Sequence, residues 1–280
     1  MRQAAPGTEA WIPSDDRGML LGDGLFETVR LYRGRAFRLD AHLDRLAHGA
    51  GVVGIPVPGE LRSRVDEALV SWKGRDGALR ITLTRGSGFG LAPPEKASGR
   101  LLIGIRPVEG RDEPASLVGL RAVLRGRVDE RALISGLKTI GYLERIQAVR
   151  LAHSAGAEEA LLRNSADLVV EGSASNLIAV VGGLLVAPGL PQGALAGITR
   201  AVILDEATGM GVQVEERGLR VEELDGASEL LLTSSVREIV PIIRLEGRAI
   251  GSGGPGPFFR ALSDRFRERV ERELAPTHPR

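Results

Sequence analysis

Cysteine is absent from the 280 residues, which excludes a disulfide framework and any thiolate metal site. Histidine is scarce as well. The four, His42, His48, His153 and His278, are scattered rather than clustered as zinc ligands are. Neither sign of charge dominates: the net charge is +1 with both signs interspersed, so no basic stripe argues for nucleic acid and there is no acidic tail. Long hydrophobic runs are missing too, the longest, Leu177 to Ala187, being broken by Gly182 and Gly183 and too short for a bilayer. Without a charged-then-apolar leader at the N-terminus, the chain reads as soluble and cytoplasmic. The scarcity that says most is lysine. Of 37 Lys plus Arg, only Lys73, Lys96 and Lys138 are lysines.

What is present is enough for a large core: 43% of the residues are hydrophobic, and the length allows one or two domains. Leu20 to Tyr32 reads as strand-like with a kink at Gly22-Asp23-Gly24, and Arg33-Gly34 turns it into a hairpin with Ala36-Phe37. Asp40 is the expected N-cap of a helix carrying Leu43, Leu46 and Ala50, and a second helix spans Glu60 to Trp72. Leu79, Ile81 and Leu83 alternate with Arg80, Thr82 and Thr84, the mark of a half-buried strand, and Leu101 to Ile105 is another. Past a charged, turn-rich stretch, a helix over Tyr142 to Ser154 is predicted to face inward with Leu143, Ile146, Val149 and Ala152. Antiparallel strands follow at 159–162, 168–171, 177–181 and 184–187. A helix begins at Gly197-Ile198-Thr199, and a last one turns Phe258, Leu262, Phe266 and Val270 inward. The pattern predicts two α+β domains, 1–108 and 117–280, joined by a linker at 109–116.

Lys138 stands on a mostly apolar approach, Ala-Leu-Ile-Ser-Gly-Leu, where desolvation lowers an amine's pKa and frees a nucleophile of the Schiff-base kind. The other reading is a packed stem with its head in water. Glu171 ends the apolar strand Leu168-Val169-Val170, where a carboxylate is either solvated or holds a proton on a heteroaromatic nitrogen. The helix start at Gly197-Ile198-Thr199 exposes N–H groups suited to a phosphate, or is ordinary capping. Arg45 is a solvated arginine or a fork for that phosphate. Gly86-Ser87-Gly88-Phe89-Gly90 lacks the strand, helix and later acid of a dinucleotide site and is expected to be a flexible loop. An amine, an acid for a ring nitrogen and an anion cradle are the parts that pyridoxal phosphate needs.

With those residues in hand, the chain resembles the class IV aminotransferases, the fold-type IV pyridoxal phosphate enzymes that include D-amino acid and branched-chain aminotransferases and aminodeoxychorismate lyase. The resemblance runs in family order through Asp16-Arg17-Gly18, Gly22-Asp23-Gly24-Leu25-Phe26-Glu27-Thr28, His42 to Leu46, Thr84-Arg85-Gly86, Leu137-Lys138, Glu171 to Asn176, Gly197 to Arg200, Thr233-Ser234-Ser235 and Glu238 to Pro241. It implies a homodimer of two mixed α/β domains with the active site between them, the larger holding pyridoxal 5'-phosphate. Lys138 would carry the cofactor as a Schiff base and shuttle the proton, and Glu171 would pair with the pyridine nitrogen. Arg45, Ile198, Thr199 and Ser235 would hold the phosphate, Ser234 would also bind the cofactor, and Leu195 would lie against the ring. Tyr142 would reach the phenolic oxygen, although it stands four residues after the lysine where branched-chain enzymes place theirs one later; core packing is its other reading. Phe26, Arg30 and Arg85 would line the substrate pocket. The reaction implied is transfer of an amino group between a D-amino acid, branched-chain amino acid or (R)-amine and a keto acid. The alternative is a 4-amino-4-deoxychorismate lyase yielding 4-aminobenzoate and pyruvate, whose extra arginine after Thr-Arg-Gly is missing here.

Overall fold

The structure is a computed structural model that describes residues 12–108 and 118–275. The expected linker at 109–116 lies outside them. The chain divides into two units, Met1–Gly110 with Leu137–Gly141, and Arg111–Gly136 with Tyr142–Arg280.

In the first unit, strands β1 (Gly24–Tyr32), β2 (Arg35–Ala36), β3 (Gly77–Thr84) and β4 (Arg100–Pro107) form an antiparallel sheet in the order β2-β1-β3-β4. Period-two alternation sends Leu25, Val29 and Leu31 of β1 to one face, where they pack with Leu79, Ile81 and Leu83 of β3. Helices α2 (Leu39–Val53) and α3 (Leu61–Ser71) cover that face through Leu46, Ala50, Val65 and Ala68. Three expectations are corrected here. Leu20 and Leu21 are not strand but belong to a short helix α1 (Arg17–Leu21), because the Asp16 side chain accepts from the Gly18 and Met19 amides and Gly22, at φ 70°, stops the helix. The N-cap of α2 is Arg38 in the left-handed region, which leaves Asp40 inside the first turn. The glycine loop is pinned rather than loose: the buried Arg17 donates to the carbonyls of Gly90, Leu91 and Ala92, and the Gly88 amide to that of Asp15.

The second unit holds β5 (Leu120–Arg127), β6 (Glu159–Arg163), β7 (Val169–Gly172), β8 (Asn176–Val181), β9 (Leu184–Val186), β10 (Val214–Glu215), β11 (Glu229–Ser234), β12 (Glu238–Leu245) and β13 (Arg248–Ala249). Six of them form a ring, β8-β11-β12-β5-β6-β7, which closes where Glu171 of β7 pairs with Asn176 of β8. The expected antiparallel run β6 to β9 is present. Helix α4 (Leu143–Ser154) makes the crossover that the parallel β5–β6 pair requires. Its phase differs in part from the predicted one: Ala152 is buried as expected and Ala148 with it, while Leu143 and Ile146 are 70% and 58% exposed. The reason is close approach, since a Cβ on Gly126 of β5 would lie 2.9 Å from that of Ala148 and only small side chains fit there. Helices α5 (Ile198–Gly209), α6 (Val221–Asp225) and α7 (Pro257–Glu273) complete the unit, and α7 buries Phe259, Leu262, Phe266 and Val270, so Phe259 takes the place predicted for Phe258.

Candidate active site

The sequence-predicted residues fall into two groups, one on each unit. In the first, the Lys138 segment runs along the start of β1: the Phe26 amide donates to the Lys138 carbonyl at 2.9 Å and the Ile140 amide to that of Gly24 at 3.1 Å. This pairing brings the Lys138 Nζ to 4.5 Å from the Phe26 ring centroid, and the Arg80 guanidinium lies 3.6 Å from the same centroid. Lys138 is half-buried.

One residue along β1, Glu27 turns to the core face and is fully buried. Arg45 of α2 meets it side-on, Nε donating to Oε1 and Nη2 to Oε2, both at 2.7 Å. His42, one helical turn earlier, donates from Nδ1 to Oε2 at 2.8 Å. Burial pushes the Glu27 carboxyl up, but Arg45 and His42 together hold it below its ordinary 4.5. Burial is also the first cause that pushes the His42 imidazole below 6.5; Glu27 opposes it, and the charges of Arg45 and Lys138 reinforce it. Arg45 is therefore a locked guanidinium, where the sequence left a solvated face open as its alternative.

Two predicted pocket residues of the first unit, Arg85 and Arg30, have internal partners. Arg85 uses all three of its nitrogens internally, Nε on Asp23 at 2.8 Å, Nη1 on the Gly54 carbonyl at 2.6 Å and Nη2 on that of Val53 at 2.8 Å. It braces the end of α2, with its guanidinium engaged on Asp23 and two carbonyls. Arg30 is likewise buried, with Nη2 on Asp76 at 2.9 Å and its guanidinium 5.2 Å from the Tyr32 ring. It lies four residues along β1 from Phe26, toward the β1–β2 turn and away from the end that pairs with the Lys138 segment.

The second group gathers at one end of the closed ring. Glu171, Asn176 and Thr233 form a row across β7, β8 and β11, and from Thr233 the chain passes directly into Ser234 and Ser235. Leu195 ties the next loop to this row: its amide donates to Glu171 Oε2 at 3.1 Å, and its carbonyl accepts from Asn176 Nδ2 at 2.8 Å. Two residues on, Gly197 is obligatory, since a Cβ there would lie 1.8 Å from Asn176 Oδ1. Helix α5 then starts at Ile198 with no side-chain cap, so the first amides, those of Ile198 and Thr199 included, are left for an anion. Tyr142 occupies the N-cap position of α4, and its ring lies 5.4 Å from the guanidinium of Arg145.

Three residues were missed by sequence reasoning. Glu27 has a signal in the alternation itself, a carboxylate in phase with Leu25, Val29 and Leu31, and His42 shares a helix face with Leu39 and Leu46. Arg145 is in phase with Ala148 and Ala152 and reaches Glu171, Nη2 to Oε1 at 2.5 Å. Burial lowers the Arg145 pKa and the Glu171 charge, in contact with it, raises it, with a net rise. What the geometry offers is an amine beside an aromatic ring, a locked arginine, a buried carboxylate held at both oxygens, and an uncapped helix start.

Comparison with known proteins gives the family. The sequence model of the amino-transferase class IV family matches residues 24–245. A Methanocaldococcus jannaschii protein that bears the name of a branched-chain-amino-acid aminotransferase is 33% identical over 93% of this chain and 91% of its own. The D-alanine aminotransferase of Bacillus licheniformis is 30% identical over 96% of this chain and 95% of its own. Among solved structures, the 4-amino-4-deoxychorismate lyase of Pseudomonas aeruginosa has a TM-score of 0.85 and 34% identity, covering 94% of this chain and 97% of that one. The fold is that of the fold-type IV enzymes, and the chain belongs to the class IV aminotransferase family.

Proposed function

We propose that this chain is a pyridoxal 5'-phosphate-dependent transaminase, cytoplasmic and homodimeric. It moves an amino group between an amino acid or amine, of the D-amino acid, branched-chain or (R)-amine type, and a keto acid. The observation that carries this reading is the pair of hydrogen bonds made by Leu195, whose amide donates to Glu171 and whose carbonyl accepts from Asn176. Through it, a carboxylate fit for a ring nitrogen and a helix start fit for a phosphate become one rigid piece, and those are the two ends of the cofactor. The charges fit as well: the buried Glu171 and Glu159 face Arg145, a formal charge of minus one that a protonated ring nitrogen would balance.

When bound, the cofactor supplies an electron sink for the electrons released at the substrate Cα. Lys138 would hold the cofactor through Nζ and, when not so engaged, would move the proton at the substrate Cα. Glu171 would keep a proton on the ring nitrogen, the amides of Ile198 and Thr199, with Arg45 and Ser235, would hold the phosphate, and Ser234 would also bind the cofactor. Tyr142 would reach the phenolic oxygen, and Leu195 would lie against the ring. Phe26, beside Lys138, shapes the donor's side of the pocket.

The test is a screen of amine donors and keto acids on the purified protein. A donor should bleach the visible cofactor band and a keto acid should restore it, and Lys138→Ala should lose both the bleaching and the borohydride-stable adduct. The lyase is the second reading, favoured by the likeness to the Pseudomonas aeruginosa enzyme. No bleaching with any donor, together with release of 4-aminobenzoate from aminodeoxychorismate, would decide for it.

A further inference from the structure

Arg145 has no part in the reaction as described, yet among the described residues it is the cation in contact with Glu171. It enters from the first turn of α4, seven residues after Lys138 in sequence. Its Nη2 donates to Glu171 Oε1 at 2.5 Å, its Nη1 to the carbonyls of Ser173 at 3.1 Å and Gly172 at 3.3 Å, and its guanidinium carbon lies 5.4 Å from the Tyr142 ring. A second buried carboxylate, Glu159, accepts the Ala160 and Ser173 amides and adds to the field at Arg145. The guanidinium is thus fastened to the hairpin that follows Glu171 as well as to Glu171 itself.

We propose that Arg145 is a positioning residue that keeps the cofactor's ring proton on the nitrogen and off Glu171. The inference rests on the reading of Glu171 as that nitrogen's partner. A carboxylate that faces a pyridine nitrogen shares one proton with it, and the proton rests on whichever group has the greater affinity. A buried carboxylate without a cation gains proton affinity, because burial disfavours its charged form. A guanidinium in direct contact with the carboxylate stabilises that anion more than it penalises a cation bound beyond it, since the interaction falls with distance. Removing Arg145 therefore moves the proton from nitrogen to carboxylate, which weakens the electron sink without removing any group that touches substrate. The two anchors on the Gly172 and Ser173 carbonyls do a second job. They hold the guanidinium still, so the Glu171 carboxylate has one orientation.

The experiment reconstitutes the apoprotein with pyridoxal phosphate carrying 15N in the ring and reads the ring-nitrogen NMR signal at neutral pH. Wild type and Arg145→Lys, which keeps the charge, should give the pyridinium signal. Arg145→Gln, which keeps an amide for the hairpin carbonyls, should give the neutral-pyridine signal while retaining the wild-type far-UV spectrum and the borohydride-trapped adduct at Lys138. Its kcat should fall by about tenfold for each pKa unit by which the carboxylate overtakes the nitrogen, with the donor KM within about threefold, the split expected of an interaction made in the transition state. If the glutamine variant does not fold, Arg145→Met, whose apolar stem fills the same space, carries the same readout. A pyridinium signal in the cofactor-loaded glutamine or methionine variant overturns the inference and leaves the proposed function standing. A wild type that takes up no cofactor, or shows a neutral nitrogen, overturns the reading of Glu171 on which the inference rests.

Discussion

Replacing Glu27 by Gln isolates the buried charge cluster of the first unit. The carboxylate receives three hydrogen bonds from two side chains, at 2.7, 2.7 and 2.8 Å. Removing one member of a buried ion pair costs about 3–5 kcal/mol, because the other is left charged and unpaired. The Arg45 side chain is 15% exposed, so water reaches part of the orphaned charge, and we expect about 2–4 kcal/mol for Glu27→Gln. Against a total stability of about 5–15 kcal/mol, that is a large fraction. Urea unfolding of the apoprotein reads it directly, with Trp72, buried in the same core, as reporter and Trp11 replaced by Phe. A cycle with Arg45→Met should show coupling well beyond the ~0.5 kcal/mol within which independent sites add. A Glu27→Gln loss below about 0.5 kcal/mol, or additivity in the cycle, would refute the claim that this carboxylate locks the arginine.

The same cluster sets a pH dependence. The His42 pKa lies below 6.5 and that of Glu27 below 4.5 in the folded state, and for a depressed group the unfolded chain takes up protons first, so stability falls as pH drops below about 6.5 and again below about 4.5. Urea midpoints from pH 8 to 4 should show the first decline, and a His42→Gln variant should lack it. Arg85→Lys should lose about 1–3 kcal/mol because one ammonium cannot replace a fork on Asp23 and two carbonyls, while the KM for donor stays within about threefold; a tenfold rise in KM with stability intact would assign it to the substrate pocket. Glu229→Ala should cost about 1–2 kcal/mol in thermal or urea unfolding, since the buried Glu229 carboxylate caps α7 by accepting the amides of Phe258 and Phe259 at 2.7 and 2.8 Å.

Where apolar alternation decides structure, the sequence was legible. Leu79, Ile81 and Leu83 are buried in β3, the four antiparallel strands from 159 to 187 stand in order, and α7 is inward-facing within one residue of its predicted phase. The phase of α4 was only partly legible, because it is set by how closely Gly126 lets the helix approach, and large apolar residues at Leu143 and Ile146 outvoted Ala148. The short α1 was hidden because its boundaries rest on one Asp16 side chain and one left-handed glycine rather than on periodicity.

For the candidate site the division is different, and it follows from what a charge means in each context. Lys138, Glu171 and the Gly197 helix start stand out against apolar or glycine-rich neighbours, so single residues could be singled out before any geometry was known. Glu27, Arg85 and Arg145 carry no local mark of an internal partner, yet all three are engaged in internal pairs. A charge is tolerated inside only with its partner, and in all three pairs the partner is more than a dozen residues away: Glu27 finds Arg45, Arg85 finds Asp23 and Arg145 finds Glu171. Local pattern carries no information about such distances. The phase of a charged residue within its own helix or strand does carry some, and a charge that falls in step with buried neighbours, as Glu27 does with Leu25 and Val29, is the sign that a partner must be sought.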